Sequence, residues 1–453
     1  MWPGLRRVLG SGSTGEFRRG ILANTAYLGV ARVAQLFVSF TIGVSVARYL
    51  GPAGAGALAY AVSFVALFSS IAALGLDTIV IRDLAANEPG SAVSEEILSS
   101  AFLLRVVAST ATIVIIVFAS LLADRDDRTR LLIVIVASGV IFQPLSVIDL
   151  YFQSLVKSKY VVYTQLAALA VVSIARLILL QSGAPLLAFA CVTAVETALS
   201  MCGLVYVYRR HRGRLPKLSI CKRVAWRLLA QAWPLALTGV LTSIYINVDR
   251  VLIKHLLGNA SAGKYAVVVS ISTALYFVPI ALGQSFFPSL VASRRDSALY
   301  HRRLQQAFDA LLWAGIALAL PVTLVAGPLM HFLYGVPYEG SGAALAILIW
   351  STVFTFVGLV TSYWLVAENL QRIYPVRIFA GLCTCVVLDL VLIPRWGIRG
   401  AAVATVVAQF VSSTVVYAFS KQTRLMITMQ CKALVLPYRL WASRANGGNG
   451  ETL

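Results

Sequence analysis

Long runs of apolar residues, each about 20 to 28 residues, alternate along the chain with short polar stretches rich in Arg, Gly and Pro. A helix rising about 1.5 Å per residue crosses a hydrocarbon core of about 30 Å in roughly 20 residues, so each run reads as a transmembrane helix. Strand-type alternation is absent, which argues against a β-barrel. Twelve runs lie near residues 21–47, 56–84, 97–122, 131–155, 160–181, 185–208, 229–257, 263–290, 304–333, 342–367, 373–394 and 399–420. The opening MWPGLRRVLGSGSTGEFRRG is basic and lacks the apolar core of a signal peptide, so the first helix reads as a retained span. The tail LMITMQCKALVLPYRLW, with Lys432 and Pro437 inside it, reads as interfacial rather than spanning.

The pattern repeats. YLGPAGAGALAYAVS at 49–63 aligns with LLGNASAGKYAVVVS at 256–270 with 8 of 15 positions identical, at an offset of 207 residues. LGLD at 74–77 then faces LGQS at 282–285, and Gly183 faces Gly397. Transporters are often built from such repeats. The expected fold is therefore an all-α polytopic membrane protein of about twelve transmembrane helices in two parallel six-helix repeats. The halves divide the chain into a cytoplasmic N-terminal segment (1–20), an N-lobe (21–208), a basic cytoplasmic linker (209–228), a C-lobe (229–420) and a cytoplasmic or interfacial tail (421–453). The seam between two such lobes is the expected place for a site.

Composition agrees: 59% of residues are hydrophobic and 12% charged, with a mean hydropathy of +0.83, against roughly 25% charged in a soluble domain. The net charge of +20 would suit nucleic acid, but its distribution does not. With the N-terminus inside, most Lys and Arg fall on cytoplasmic segments, and the linker YRRHRGRLPKLSICKRVAWR alone carries eight. That is the positive-inside asymmetry of a membrane protein. Its partner is anionic lipid rather than nucleic acid. Six cysteines without paired spacing and four scattered histidines give no disulfide or metal pattern. No cofactor is expected.

Charges inside the spans carry the candidate chemistry. An Arg or Asp at the centre of a membrane helix costs roughly 2.5 to 3.5 kcal/mol, so each must face protein, water or ligand. Arg32 lies deep in helix 1, with Thr25, Gln35 and Ser39 on the same polar face. Helix 7 carries Thr242, Tyr245 and Asp249 on one face and Asn247 and Arg250 on the next. Adjacent residues on a helix point about 100° apart, so Asp249 and Arg250 need separate partners. Arg32, Arg250, Arg105 and Arg176, on helices 1, 7, 3 and 5, are the candidate ligands for an anionic head group. Asp77, Glu196, Asp249 and Asp389 are candidates for ion coupling or salt bridges.

VARYLGPAGAGALAYAVSF, YFQSLVKSKYVVYTQ, INVDRVLIKHLLGNASAGKYAV and LDLVLIPRWGIRGAAVATVVAQF, in this order and spacing, resemble the polysaccharide (O-antigen type) flippases of the multidrug/oligosaccharidyl-lipid/polysaccharide exporter superfamily. The resemblance implies two lobes around a central cationic cavity, alternating access, and a polyprenyl-pyrophosphate-linked oligosaccharide as substrate. It implies a non-enzymatic protein of the bacterial inner membrane with both termini cytoplasmic, and polysaccharide-assembly proteins as partners. Relatives commonly have Asn where this chain has Asp389. A cation-coupled drug exporter of the same superfamily is the nearest alternative, and a membrane glycan polymerase or ligase a more distant one.

Overall fold

The computed structural model describes residues 14–157, 159–212, 221–294 and 296–436; side chains are described from Gln35 onward, except at 212, 280, 281, 284, 285, 287–289 and 291. All regular structure among these residues is helical. Among the described residues, eleven segments are long and apolar enough to cross a membrane. The first of them contains two of the twelve expected spans, because helix α1 (Thr14–Ala73) bends at Gly51.

That bend supports the repeat. Gly51 has φ 64 and ψ 175, and Gly258, at the offset of 207, has φ 83 and ψ 177. Backbone of this kind is essentially restricted to glycine. Both glycines therefore end the first helix of their half in the same conformation. Gly183 (φ 69) and Gly397 (φ 60) likewise share a positive φ.

Several spans are broken where periodicity alone predicts continuity. Helix 2 stops at a left-handed turn, Leu74 and Gly75, and resumes as α2 (Asp77–Ala86). α3 (Ala92–Ala123) is continuous, whereas the fourth span runs as α4 (Asp127–Ser138), a tighter 3-10 turn over Gly139–Ser146, and α5 (Val147–Ser154). Pro144 sits in that turn and cannot donate a backbone hydrogen bond. α6 (Lys159–Gln181), α7 (Leu186–Arg212) and α8 (Lys222–Leu257) follow. The eighth span is α9 (Asn259–Ala274) and α10 (Phe277–Ala292), parted at residues 275–276.

Neither Pro279 nor Gly283, the residue types that most often kink a helix, makes this break. Pro279 falls in the first turn of α10, where a missing N–H costs little, and Gly283 lies inside α10 without a positive φ. A Cβ on Gly283 would stand 2.6 Å from Tyr363 Cε2, so that glycine serves close packing rather than bending. The remaining helices are α11 (Ser297–Tyr334), α12 (Gly342–Leu348), α13 (Ser351–Ala367), α14 (Ile373–Trp396), α15 (Ile398–Ser413) and α16 (Arg424–Leu434).

The chain forms two compact units, one ending at Lys254 and the other beginning at His255. In the first, α2, α3, α5, α7 and the start of α8 share a core that includes Leu76, Ile97, Phe152, Tyr208 and Leu228. A second cluster of that unit joins Tyr60 and Phe64 of α1 to Ile116 of α3 and Ile133 of α4. In the second unit, Leu304, Phe308, Phe356, Trp364 and Tyr417 pack with Met426 of α16. The tail helix is thus docked on its own unit: Met426, Met429 and Ala433 are buried, and Trp313 Nε1 donates to the Ala433 carbonyl at 2.9 Å.

Candidate functional site

Polar groups in a membrane helix must find partners locally, and the hydroxyls of α8 do so on their own backbone. Thr238 donates to the Pro234 carbonyl and Thr242 to the Thr238 carbonyl, both at 2.8 Å. Asn247 Nδ2 donates to the Ser243 carbonyl at 2.9 Å, and Ser243 reaches across to the Ala66 carbonyl of α1 at 2.5 Å. Arg250 then donates to Ser63 Oγ at 3.2 Å and to Asn247 Oδ1 at 3.3 Å. Ser63, Ala66, Ser243, Asn247 and Arg250 therefore form one polar seam inside the first unit, where α8 meets α1.

The backbones approach closely there. A Cβ on Gly75 would lie 2.4 Å from the Ala236 nitrogen, so only glycine lets the turn after α1 meet α8. Ion pairs hold α8 at both ends. At its start, Arg227 pairs with Asp83 at 3.1 Å, and Arg82 donates to Gln231 Oε1 at 2.7 Å. Near its end, Lys254 pairs with Asp124, which also accepts from the Tyr60 hydroxyl at 2.5 Å. The Lys254 ammonium lies 4.4 Å from the centre of the Tyr60 ring, a cation–π contact.

The other candidate arginines are engaged within the first unit. Arg105, 2% exposed, reaches Asp77 and Ser146 at 2.5 Å each and the Ala73 carbonyl at 3.4 Å. It closes the break in helix 2 by tying α2 to α3 and the 3-10 turn. Arg176 pairs with Glu196 at 2.8 Å between α6 and α7. Neither arginine stands open as an anion ligand in this conformation.

Asp249 is buried in the first unit. Asp389 is buried in the second, with Cys385 Sγ 3.7 Å from its Oδ2. Gln35 and Tyr245 are half-buried and Ser39 is exposed. Thr25 and Arg32 fall in α1, where side chains lie outside the described residues.

Two features escape sequence reasoning. Asp124 reads as part of the outward loop DRDDRTR, yet it is 2% exposed beneath Lys254. Arg377, one turn into α14, is 7% exposed and donates to Ser362 Oγ at 2.8 Å, the Gly358 carbonyl at 3.2 Å and the Tyr417 hydroxyl at 3.4 Å. It has no carboxylate partner among the described residues. Its place inside the eleventh apolar run is the signal that could have revealed it.

Among solved structures, the chain is similar to the lipid II flippase MurJ in an inward closed conformation (TM-score 0.73, 14% identity, 94% of this chain and 93% of that one). It also resembles an inward-facing multidrug resistance MATE family transporter of the MOP superfamily (TM-score 0.66, 15% identity, 89% and 99%). These likenesses give an all-helical, two-lobed membrane-protein fold.

Among curated sequences, it is 20% identical to the capsular polysaccharide biosynthesis protein CapF of Staphylococcus aureus over 42% of this chain and 48% of that protein. It is 28% identical to the probable flippase AglR of Haloferax volcanii over 37% and 36%. The matched stretch thus spans half or less of either relative. Residues 21–293, more than half of the chain, match the family described as polysaccharide biosynthesis protein, and the chain belongs to that family.

Proposed function

We propose that this multi-pass membrane protein is a flippase that moves a polyprenyl-pyrophosphate-linked oligosaccharide from the cytoplasmic to the outer leaflet by alternating access, for surface polysaccharide biosynthesis. The observation that carries the reading is Arg250, a cation inside the membrane span of a family member, hydrogen-bonded to Ser63 Oγ and Asn247 Oδ1 about 10 Å from the end of α8. A fixed guanidinium there lowers the barrier for a diphosphate, which cannot enter hydrocarbon alone, while the polyprenyl tail stays in lipid. Arg32 is assigned the same role from its depth in helix 1. An inside-negative potential favours outward movement of the anion by about 2.3 kcal/mol per charge per 100 mV if the charge crosses uncompensated.

The membrane is the bacterial cytoplasmic one with both termini inside, as the basic linker and tail favour. Polysaccharide-assembly proteins and membrane lipid are the partners, and the protein performs no covalent chemistry. The names of the relatives, a flippase and a capsule biosynthesis protein, point the same way.

The test is transport of a fluorescent lipid-linked oligosaccharide in vesicles carrying the purified protein, under imposed proton, sodium or potential gradients. Wild type should expose the head group on the opposite leaflet, and Arg250→Gln should reduce the rate at least tenfold while inserting normally. Full transport by both Arg250→Gln and Arg32→Gln would overturn the assignment.

A further inference from the structure

Two breaks in the first unit meet at one level. Helix 2 is interrupted by the left-handed turn at Leu74 and Gly75, and the fourth span becomes a 3-10 turn over the eight residues Gly139–Ser146. Runs of 3-10 helix beyond three or four residues are uncommon, and irregular backbone at membrane depth survives only where protein buries it or where it lines water. Arg105 of α3 stands between the breaks, bonded to the Ala73 carbonyl before one and to Ser146 at the end of the other. One turn deeper along the three segments lie Ser69, Ser109 and Gln143. Gln143 Nε2 donates to the Ser69 carbonyl at 3.3 Å. Ser109 Oγ and Gln143 Oε1 have no hydrogen-bond partner among the described residues, nor has Arg105 Nε below them. Ser109 and Arg105 are each 2% exposed. A buried donor and two buried acceptors at one level are the setting for a bridging water.

On the other side of Arg105 lie two carboxylates. Asp77, the first residue of α2, ion-pairs with it at 2.5 Å, and Asp149 of α5 stands one turn beyond Ser146. Asp149 interacts electrostatically with both Asp77 and Arg105, and its one side-chain hydrogen bond among the described residues comes from Gln153 Nε2 at 2.9 Å. The charged groups acting on Asp149 are therefore Asp77 from α2 and Arg105 from α3. α6 and α7 bring Tyr160 and Tyr208 against Phe152 and Tyr151, and Lys157, beyond the end of α5, is engaged with His211. Asp77 is 56% exposed and Asp149 half-buried, so the cluster runs from water into the unit. Two carboxylates face one guanidinium, which leaves one negative charge over.

We propose that this cluster is a proton-binding site in which Asp149 takes up the proton. Carboxylates inside membrane proteins are the usual members of proton relays. Uptake converts the Asp149 carboxylate and a hydronium ion into a carboxylic acid and water, so no other reactant is consumed. A proton suits the site where a metal ion does not, because the fixed charge of Arg105 repels a free cation, whereas a proton becomes part of the carboxyl group. Asp77, at the wet end, is the group through which it exchanges with water. Uptake also changes what holds Arg105. With Asp149 charged, the guanidinium is shared between two carboxylates; with Asp149 neutral, it belongs to Asp77 alone, which opens α2 directly after the break. The proton thereby sets how firmly α2 is held across Leu74 and Gly75.

The experiment is infrared difference spectroscopy of the purified full-length protein, titrated between about pH 4 and pH 9 in ordinary and in heavy water. Subtracting the Asp149→Asn spectra from those of wild type cancels the surface carboxyls. One protonated-carboxyl stretch should remain, titrating in a single step and shifting in heavy water. Asp149→Glu should restore the band at a displaced frequency, which keeps the test open if the Asn variant does not fold. Asp77→Asn should retain the band and move its midpoint by about one pH unit or more, and exchange of potassium for sodium should leave the midpoint in place. Absence of the band from the difference spectra would overturn the proposal, as would an unmoved midpoint in Asp77→Asn. A midpoint that follows the sodium concentration would replace the proton site with a metal-ion site. The readout needs no lipid-linked sugar, so its outcome is independent of the transport assignment.

Discussion

Lys254 near the end of α8 ion-pairs with Asp124, the residue that closes α3; Asp124 is buried at 2% exposure and Lys254 is half-buried at 14%. Tyr60 of α1 donates to the same carboxylate and lends its ring to the ammonium, so three helices of the first unit meet at one charge pair. Breaking a buried pair from one side leaves a charge without compensation, at a cost of about 3 to 5 kcal/mol, whereas replacing both partners with apolar residues is often neutral. Lys254→Met should therefore lower the melting temperature of the purified protein, and Lys254→Met/Asp124→Leu should recover most of the loss. Equal melting of the single and double variants would show that the pair does not anchor α8.

Arg105 and Arg250 should separate experimentally. Arg105 ties α2, α3 and the 3-10 turn together through Asp77, the Ala73 carbonyl and Ser146, and charged hydrogen bonds contribute about 1.5 to 3 kcal/mol each. Arg105→Gln should reduce folded protein in the membrane several-fold, read from a C-terminal fluorescent fusion, and lower its melting temperature. Arg250→Gln should leave abundance near wild type and remove transport. Normal abundance and melting of Arg105→Gln would refute the anchoring role.

The equal conformations of Gly51 and Gly258 permit a matched pair of tests. No atom lies within 4 Å of a Cβ built on either residue, so a substitution there meets no clash and its effect isolates backbone strain. Gly51→Ala and Gly258→Ala should each destabilise by about 1 to 3 kcal/mol. Gly43→Ala, equally open but within regular helix, should be neutral or stabilising by up to about 1 kcal/mol. A melting shift for Gly43→Ala as large as for the other two would remove backbone conformation as the cause.

The spans and the repeat were legible because burial in lipid demands unbroken apolar runs, and because Gly51 and Gly258 are required by the same backbone turn. The breaks were less so. Leu74 and Gly75 do interrupt helix 2, but the break in span 8 precedes Gly283, because that glycine is set by contact with Tyr363 rather than by φ. The candidate arginines were found from the cost of a charge in hydrocarbon, which identifies a residue in need of a partner without naming the partner. Asp77 and Glu196, the partners of Arg105 and Arg176, lie far from them in sequence. Asp124 was hidden for the opposite reason: its neighbours in DRDDRTR are loop-like, and its burial comes from helices remote in the chain.

Arg377 offers the sharpest conflict between stability and retention. Its guanidinium is buried among Ser362, Gly358, Tyr417 and the Tyr374 ring at 5.0 Å, all uncharged. The Gly358 carbonyl also accepts from Ser362 at 2.7 Å, so removing the arginine would not orphan it. A buried charge without a counter-charge costs several kcal/mol unless fully hydrogen-bonded. Arg377→Met should therefore leave the melting temperature unchanged or raised, whereas Arg377→Lys should lower it, since a compact ammonium is harder to desolvate and cannot reproduce the planar fork. A large fall for Arg377→Met would mean that the hydrogen bonds outweigh the missing counter-charge. A rise in stability accompanied by loss of transport would instead place this arginine in the transport cycle, as a charge kept against its stability cost.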